Sequence, residues 1–298
     1  MPTRRDLLHI ALSLPLLPSA LRAAEIPLRF GVIADPQYAD APPKGTRHYA
    51  ASLGKLAQAI DVLNEADLHF VATLGDFIDH DFASFDPVRT TYQKLYHRHF
   101  AVLGNHDYAV APELRDRVPG RLGMTGTYYD VLGDGWRVIV LDGNEVSTFT
   151  TAPGTDERAA AEAKLASLEA RDAPNAKPWN GGISEAQFDW LRDRLDTASD
   201  NGERVIVMGH YPLTPDGDQH LMWDAERVRD LLVAQKVPLY LCGHNHAGGH
   251  QQIEGTHFLT LCGMVETADQ TAFAMISLYP DRIEVEGHGR EPDRRLPL

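Results

Sequence analysis

Only two cysteines, Cys242 and Cys262, stand among the 298 residues. No disulfide framework holds such a chain together. Each follows an apolar run, which predicts two buried thiols on neighbouring strands; a disulfide between them stays open for an oxidising compartment. Basic residues are also scarce, 28 Lys and Arg against 42 Asp and Glu, giving a net charge of −14. No nucleic-acid partner is expected at this charge, although a local basic pocket is compatible with it. No apolar run reaches the length of a membrane span, so no stable insertion in a bilayer is expected. The chain has no GxGxxG, no P-loop lysine motif, no GxSxG and no CxxC. The ordinary signatures of dinucleotide binding, P-loop phosphate binding, serine hydrolysis and dithiol exchange are therefore missing. Apolar residues make up 43% and charged residues 23%, the composition of a folded, soluble protein with a sizeable core.

The first residues read as a targeting segment rather than as fold. Met1 to Asp6 contains Arg4-Arg5, an apolar stretch runs from Leu7 to Leu17, and small residues lead to Ala23-Ala24. A basic start, a short apolar stretch and a small-residue end make an export signal. The Arg4-Arg5 pair resembles a twin-arginine signal; the competing reading is a packed N-terminal helix. Residues 1–24 are thus expected to be removed, near Ala23 or Ala24, leaving 25–298 as a single domain. Cleavage takes away three arginines and one aspartate and brings the charge to −16. The mature chain is expected to be periplasmic or secreted.

Strands and helices alternate through the rest. The apolar runs 28–34, 68–74, 99–103, 204–208 and 237–241 read as strands. Helical periodicity covers 46–66, 87–98, 157–171, 184–197 and 224–234. Ser184 with Gln187 three residues later forms a capping box. A hairpin joins 127–132 to 136–142 about Gly133-Asp134-Gly135. Strand-like runs with turns at Glu254-Gly255, Gly263 and Pro280-Asp281 fill the tail. Residues 143–183 are the weakest region for order.

The strands end in polar side chains: Asp35, Asp76, Asn105, His210, then His244 and His246. Gly75, Gly104, Gly209 and Gly243 precede several of these groups and allow close backbone approach. Loops at the carboxyl ends of strands are where such folds carry sites. Two carboxylates, an amide and three imidazoles suit divalent ions of intermediate hardness, such as Mn, Fe or Zn. Asp35, Asp76 and His246 are expected at one ion. Asp76, Asn105, His210 and His244 are expected at the other, with Asp76 as the bridge. Two ions about 3.5–4 Å apart hold a phosphate oxygen and acidify a shared water for in-line attack. His106, beside Asn105, is placed to bind a phosphoryl oxygen or to protonate the leaving oxygen. Asp79 is a candidate to orient a ligand imidazole.

These residues resemble the calcineurin-like metallophosphoesterase superfamily, with blocks DxH, GDxxx, GNH(D/E), a lone His and GHxH. Here they stand as Asp35-Pro36-Gln37, Gly75-Asp76-Phe77-Ile78-Asp79, Gly104-Asn105-His106-Asp107, Gly209-His210 and Gly243-His244-Asn245-His246. The departure is Gln37, where most members place His. Gln37 either ligates the first ion, loosening it or favouring harder ions, or stands behind a ligand. The opening Gly31–Asp40 is similar to that of the manganese-dependent ADP-ribose/CDP-alcohol diphosphatases, which also carry Gln in this block. So are Gly45-Thr46-Arg47 with Tyr49, Trp179–Ser184, Ala247-Gly248-Gly249, Gly263–Ala268 and Gly289–Arg294. The likeness spans roughly 28–294. It implies an α/β fold, a four-layer α/β/β/α sandwich with two facing mixed sheets and the ions at the sheet edge. It implies two divalent cations, Mn2+ first, with Fe, Zn or Mg as alternatives. It also implies hydrolysis of a phosphoanhydride in ADP-ribose or CDP-alcohol-like compounds.

A small-molecule nucleotide diphosphate needs slots for its base, ribose and distal group. The candidates are Tyr38 and Trp179 for stacking, Arg47 for a phosphate, the turn Asn180-Gly181-Gly182, and Cys262 with Glu266 near the base. His220 and the other histidines outside the blocks are read as ordinary solvent or hydrogen-bonding residues. Two other classes compete with the diphosphatase. One is a phosphodiesterase or phosphomonoesterase on cyclic nucleotides, glycerophosphodiesters or other small phosphoesters. The other is a catalytically silent binding module.

Overall fold

Alternating burial builds the strands of this protein. In the computed structural model, which describes residues 27–133 and 135–298, Phe30, Val32 and Ala34 face one way while Ile33 faces the other, the two-residue period of a strand buried on both faces. The expected export segment lies outside the described residues. The strands are β1 (Leu28–Ile33), β2 (Phe70–Leu74), β3 (His99–Val102), β4 (Tyr129–Gly133), β5 (Trp136–Val140) and β6 (Arg204–Met208). They continue with β7 (Leu239–Cys242), β8 (Ala247–Ile253), β9 (Thr256–Cys262), β10 (Ala272–Leu278), β11 (Arg282–Gly289) and β12 (Arg294–Pro297). The helices are α1 (Ser52–Asn64), α2 (Phe85–Tyr92), the single-turn α3 (Val118–Arg121), α4 (Asp156–Glu169), α5 (Glu185–Asp200) and α6 (Ala225–Ala234).

Two mixed sheets of six strands result, ordered β12-β11-β10-β1-β2-β3 and β4-β5-β6-β7-β9-β8. Between them lies an apolar layer to which Phe30, Phe70, Val102, Val140, Met208, Leu241 and Leu261 contribute. The outer face of the first sheet packs on Leu56, Ile60 and Leu63 of α1. The outer face of the second packs on Phe188, Leu191 and Leu195 of α5 and on Val228 and Leu232 of α6. The layering is therefore α/β/β/α, as the sequence resemblance implies. β1, β2 and β3 run parallel, as do β5, β6, β7 and β9. Parallel pairing brings the exits of each set to one edge, and the two edges meet.

Several boundaries differ from the sequence reading for local reasons. The first helix starts at Ser52, not near residue 46, because Lys44 pairs with Arg47 and Arg47 with Glu266 outside it. α2 spans 85–92, and the residues after it form successive turns, Lys94 N donating to Thr91 O and Leu95 N to Tyr92 O. The span 143–183, expected to be weakly ordered, is tied down. Asn144 Nδ2 donates to Leu103 O at 2.7 Å, Tyr211 OH donates to Asn144 Oδ1 at 2.7 Å, and α4 packs Ala161 and Leu168 on Trp223. Ser184 caps α5 by accepting the Gln187 N–H, but the box closes only halfway. The Gln187 side chain turns instead to Asp142 O and Glu145 Oε2. Cys242 and Cys262 are free, buried thiols on the neighbouring strands β7 and β9.

Candidate metal centre

Four of the polar strand-exit residues have left-handed backbones: Asp35 (φ 49°), Gln37 (φ 43°), Asp76 (φ 54°) and His244 (φ 66°). Non-glycine residues adopt this region at a cost and persist there only when their surroundings fix them. Here the loops hold one another. Gln37 N donates to Asp76 O at 2.7 Å, and His244 N lies 3.1 Å from both Asp35 carboxylate oxygens. The buried Asp107 carboxylate accepts the N–H groups of Asp76, Phe77 and Gly104 at 2.8–3.0 Å and lies 3.3 Å from Ile78 N. It closes the Gly104–Asp107 block, and no local pattern marks it as a residue that holds these loops together. Glycine is required at position 104, where a Cβ would fall 2.1 Å from Asp76 Oδ1.

The side chains above these loops form two overlapping clusters. Asp35, Asp76 and His246 offer ligand atoms at one position, and Asp76, His210 and His244 offer them at the next, each set within 4.8 Å. Asp76 is common to both. Asn105 Oδ1 stands 3.1 Å from His210 Nε2, and His210 Nε2 stands 3.2 Å from His244 Nδ1. Gln37 Nε2 lies 2.8 Å from Asp76 Oδ2 and 3.1 Å from His246 Nε2, while its buried Oε1 has no partner. The two amide atoms are exchanged by a half-turn of the group. Turned over, Gln37 places an oxygen beside Asp76 Oδ2 and His246 Nε2, where a cation rather than a hydrogen-bond donor would satisfy it. Carboxylate, amide and imidazole donors in these numbers suit a pair of divalent cations. Burial pushes Asp76 up, but His210 and His106 beside it prevail and hold its carboxyl well below the usual range. Burial likewise lowers His210, and Asp76 more than offsets this, bringing it to about 9. Divalent ions therefore compete with a proton at this imidazole.

Each of the three imidazoles is held by an acceptor outside the clusters. His210 Nδ1 donates to Leu74 O at 2.8 Å, leaving Nε2 for an ion. His244 Nε2 lies 3.0 Å from Asn180 Oδ1, leaving Nδ1. His246 Nδ1 lies 2.8 Å from Glu266 Oε1, leaving Nε2. Such partners fix the tautomer and raise ligand basicity. The hydrogen bond from His246 holds the Glu266 carboxyl down at about 2. Replacing Glu266 with Gln is expected to weaken Mn2+ binding about 10- to 100-fold, read by metal titration; unchanged affinity would remove Glu266 from this role.

The expected substrate residues divide. Arg47 and Trp179 line a cavity of about 370 Å³ over the clusters, together with Gln37, Asn105, His106, His244, His246 and His220. Trp179 is 42% exposed. Asn180 is fully buried behind His244, with Nδ2 donating to Asn175 O and Gln219 O. Gly181 and Gly182 are packed from within, since a Cβ on either would fall 2.3 Å from Gly143 O or Asp224 Oδ2. Tyr38 packs in the outer core with Phe77 and Ile78, Cys262 N donates to Glu291 Oε2, and Glu266 stands on His246. None of these six lines the cavity. Asp79 lies on His106 rather than on a ligand imidazole, its Oδ1 3.0 Å from His106 Nδ1. His220, read from the sequence as an ordinary residue, lines the cavity. A larger concavity of about 560 Å³, at the amino ends of β6 and β7, contains none of the strand-exit residues.

The calcineurin-like phosphoesterase family matches residues 28–248, most of the chain and all of these blocks. The chain belongs to this family. It is a metal-dependent phosphohydrolase whose site has groups able to hold two ions. Among its relatives is the manganese-dependent ADP-ribose/CDP-alcohol diphosphatase of Mus musculus, 30% identical over 94% of this chain and 96% of that one. The Arabidopsis thaliana protein of the same name is 31% identical over 90% and 96%. A solved dimetal phosphatase from Danio rerio superposes with a TM-score of 0.81 at 26% identity, covering 91% of this chain and 99% of that one.

Proposed function

We propose that this phosphohydrolase cleaves the phosphoanhydride bond of ADP-ribose or CDP-alcohol-like compounds with manganese, releasing a nucleoside monophosphate and a phosphorylated alcohol or sugar. The observation that carries the reading is Gln37 among the ligand atoms, in a chain aligned nearly end to end with relatives named for that activity. When bound, two divalent ions supply positive charge for the phosphoryl oxygens and an acidified water.

The chain's own groups do the remainder. Asp35, Gln37 and His246 serve one position, Asn105, His210 and His244 the other, and Asp76 serves both. Burial lowers the His106 imidazole, but Asp76 and Asp79 more than offset this and raise it. With Nδ1 against Asp79, the ring in its doubly protonated form gives the Nε2 proton to the departing oxygen in the cavity. Arg47 stands near the His246 end, its Nε 3.9 Å from Glu266 Oε1, and attracts the departing phosphate. Trp179 offers its ring to the base. The expected site of action is the periplasm or the exterior, on the strength of the N-terminal export signature.

The test uses metal-stripped protein with Mn2+ added back. ADP-ribose and CDP-choline are offered beside bis-p-nitrophenyl phosphate and cyclic AMP. Mn2+-dependent release of AMP and CMP is expected. Turnover confined to the simple diesters would overturn the substrate reading and leave the metal centre intact.

A further inference from the structure

His220 has no place in the metal clusters, yet it faces the same cavity. Its ring lies edge-on to His244, centroids 5.7 Å apart at 77°. Asp218 fixes it twice, since Asp218 Oδ1 accepts the His220 backbone N–H at 2.9 Å and lies 2.7 Å from Nδ1. The other oxygen, Asp218 Oδ2, accepts from Asn245 Nδ2 at 2.8 Å. Asp218 is therefore held in turn by the loop that carries His244 and His246. A carboxylate on Nδ1 places the proton of a neutral imidazole there and leaves Nε2 as an acceptor. What meets Nε2 must bring a donor, and a sugar hydroxyl does so.

The position of His220 within the cavity narrows the ligand further. Asn180 Nδ2 donates to Gln219 O at 2.7 Å, stitching the Trp179-Asn180 turn to the residue before His220. Trp179 and His220 thus share the His244 end of the cavity. Arg47 stands at the opposite end, beside Glu266 and His246. A diphosphate laid across the centre has one aromatic, hydroxyl-accepting end and one cationic end.

We infer that His220, oriented by Asp218, accepts a hydrogen bond from a ribose hydroxyl of the nucleoside half, and so sets the direction in which the diphosphate lies. The inference rests on the nucleotide diphosphate reading, because it assigns the nucleoside end of that substrate. The chain would then distinguish ribonucleotides from deoxyribonucleotides without a contact at the reacting phosphorus.

The test is equilibrium binding of CMP, 2′-deoxy-CMP and 3′-deoxy-CMP to the Mn2+-loaded protein by calorimetry. The wild type is expected to bind CMP about tenfold more tightly than at least one deoxy analogue, the worth of one neutral hydrogen bond. In His220→Ala the ratio should fall to near one, with His220→Asn as the second variant should the first fold poorly. A purely structural role would weaken all three nucleotides together and preserve the ratio. Equal binding by the wild type, absence of CMP binding, or a ratio that survives loss of His220 would each overturn the inference. Failure of the substrate reading is recognised separately, as the absence of AMP and CMP release in the Mn2+ assay.

Discussion

Exchange of Asp76 for Asn is expected to lower kcat/KM by more than about 10³-fold, roughly 4 kcal/mol of transition-state stabilisation, and to reduce bound Mn2+ in the same sample. Asn is the informative replacement because residue 76 has a φ of 54°, a region that Asn tolerates and Ala does not. The loop is therefore retained while the shared charge is removed. Asp76 Oδ1 accepts the His106 N–H at 2.8 Å, and an Asn oxygen can keep that bond. What disappears is the one carboxylate common to both clusters. Metal analysis beside steady-state kinetics checks the expectation. A variant that holds two Mn2+ per chain and works within tenfold of the parent would show that Asp76 is no bridge.

Removal of the His106 side chain separates chemistry from metal binding. His106→Ala is expected to keep its ions and lose about 10²- to 10⁴-fold in kcat if the imidazole protonates the leaving oxygen. The backbone N–H of residue 106, which holds Asp76, is untouched by this change. The loss should depend on the leaving group. A phosphorylated sugar or alcohol leaves as a basic oxygen and needs the proton, whereas p-nitrophenolate scarcely does, so bis-p-nitrophenyl phosphate should suffer least. Equal losses on both substrates would turn His106 into a phosphate-binding residue, and loss of Mn2+ would remove it from either role.

The ligand clusters were legible because each is announced locally. An apolar run, then commonly a small residue, then a polar one marks a strand exit at Asp76, Asn105, His210 and His244. Parallel pairing in each sheet brings those exits to one edge without further information. The residues behind the ligands were not legible in that way. Glu266 and Asn180 reach His246 and His244 across 20 and 64 residues. Their roles depend on which ring nitrogen an ion leaves free, and no local pattern encodes that. Both lie in polar or glycine-bearing segments, a pattern that suggests substrate contact as readily as support of a ligand. His220 is illegible for the opposite reason, being a lone imidazole in a loop with its carboxylate only two residues away.

The cluster draws on the two sheets almost evenly, Asp35, Gln37, Asp76 and Asn105 following strands of the first, and His210, His244 and His246 following strands of the second. Elsewhere the sheets meet mainly through apolar side chains, with polar links such as Arg204 Nη2 donating to Tyr279 O at 2.7 Å, whereas at this edge buried carboxylates after strands of the first sheet face imidazoles after strands of the second. An ion bound there is a rivet through both layers. Occupancy and cohesion are then linked by mass action, each ion adding about 2.7 kcal/mol at a hundred times its dissociation constant. Scarcity of metal would thus loosen the sandwich from the rim inward, exposing to proteases the same loops that carry the chemistry.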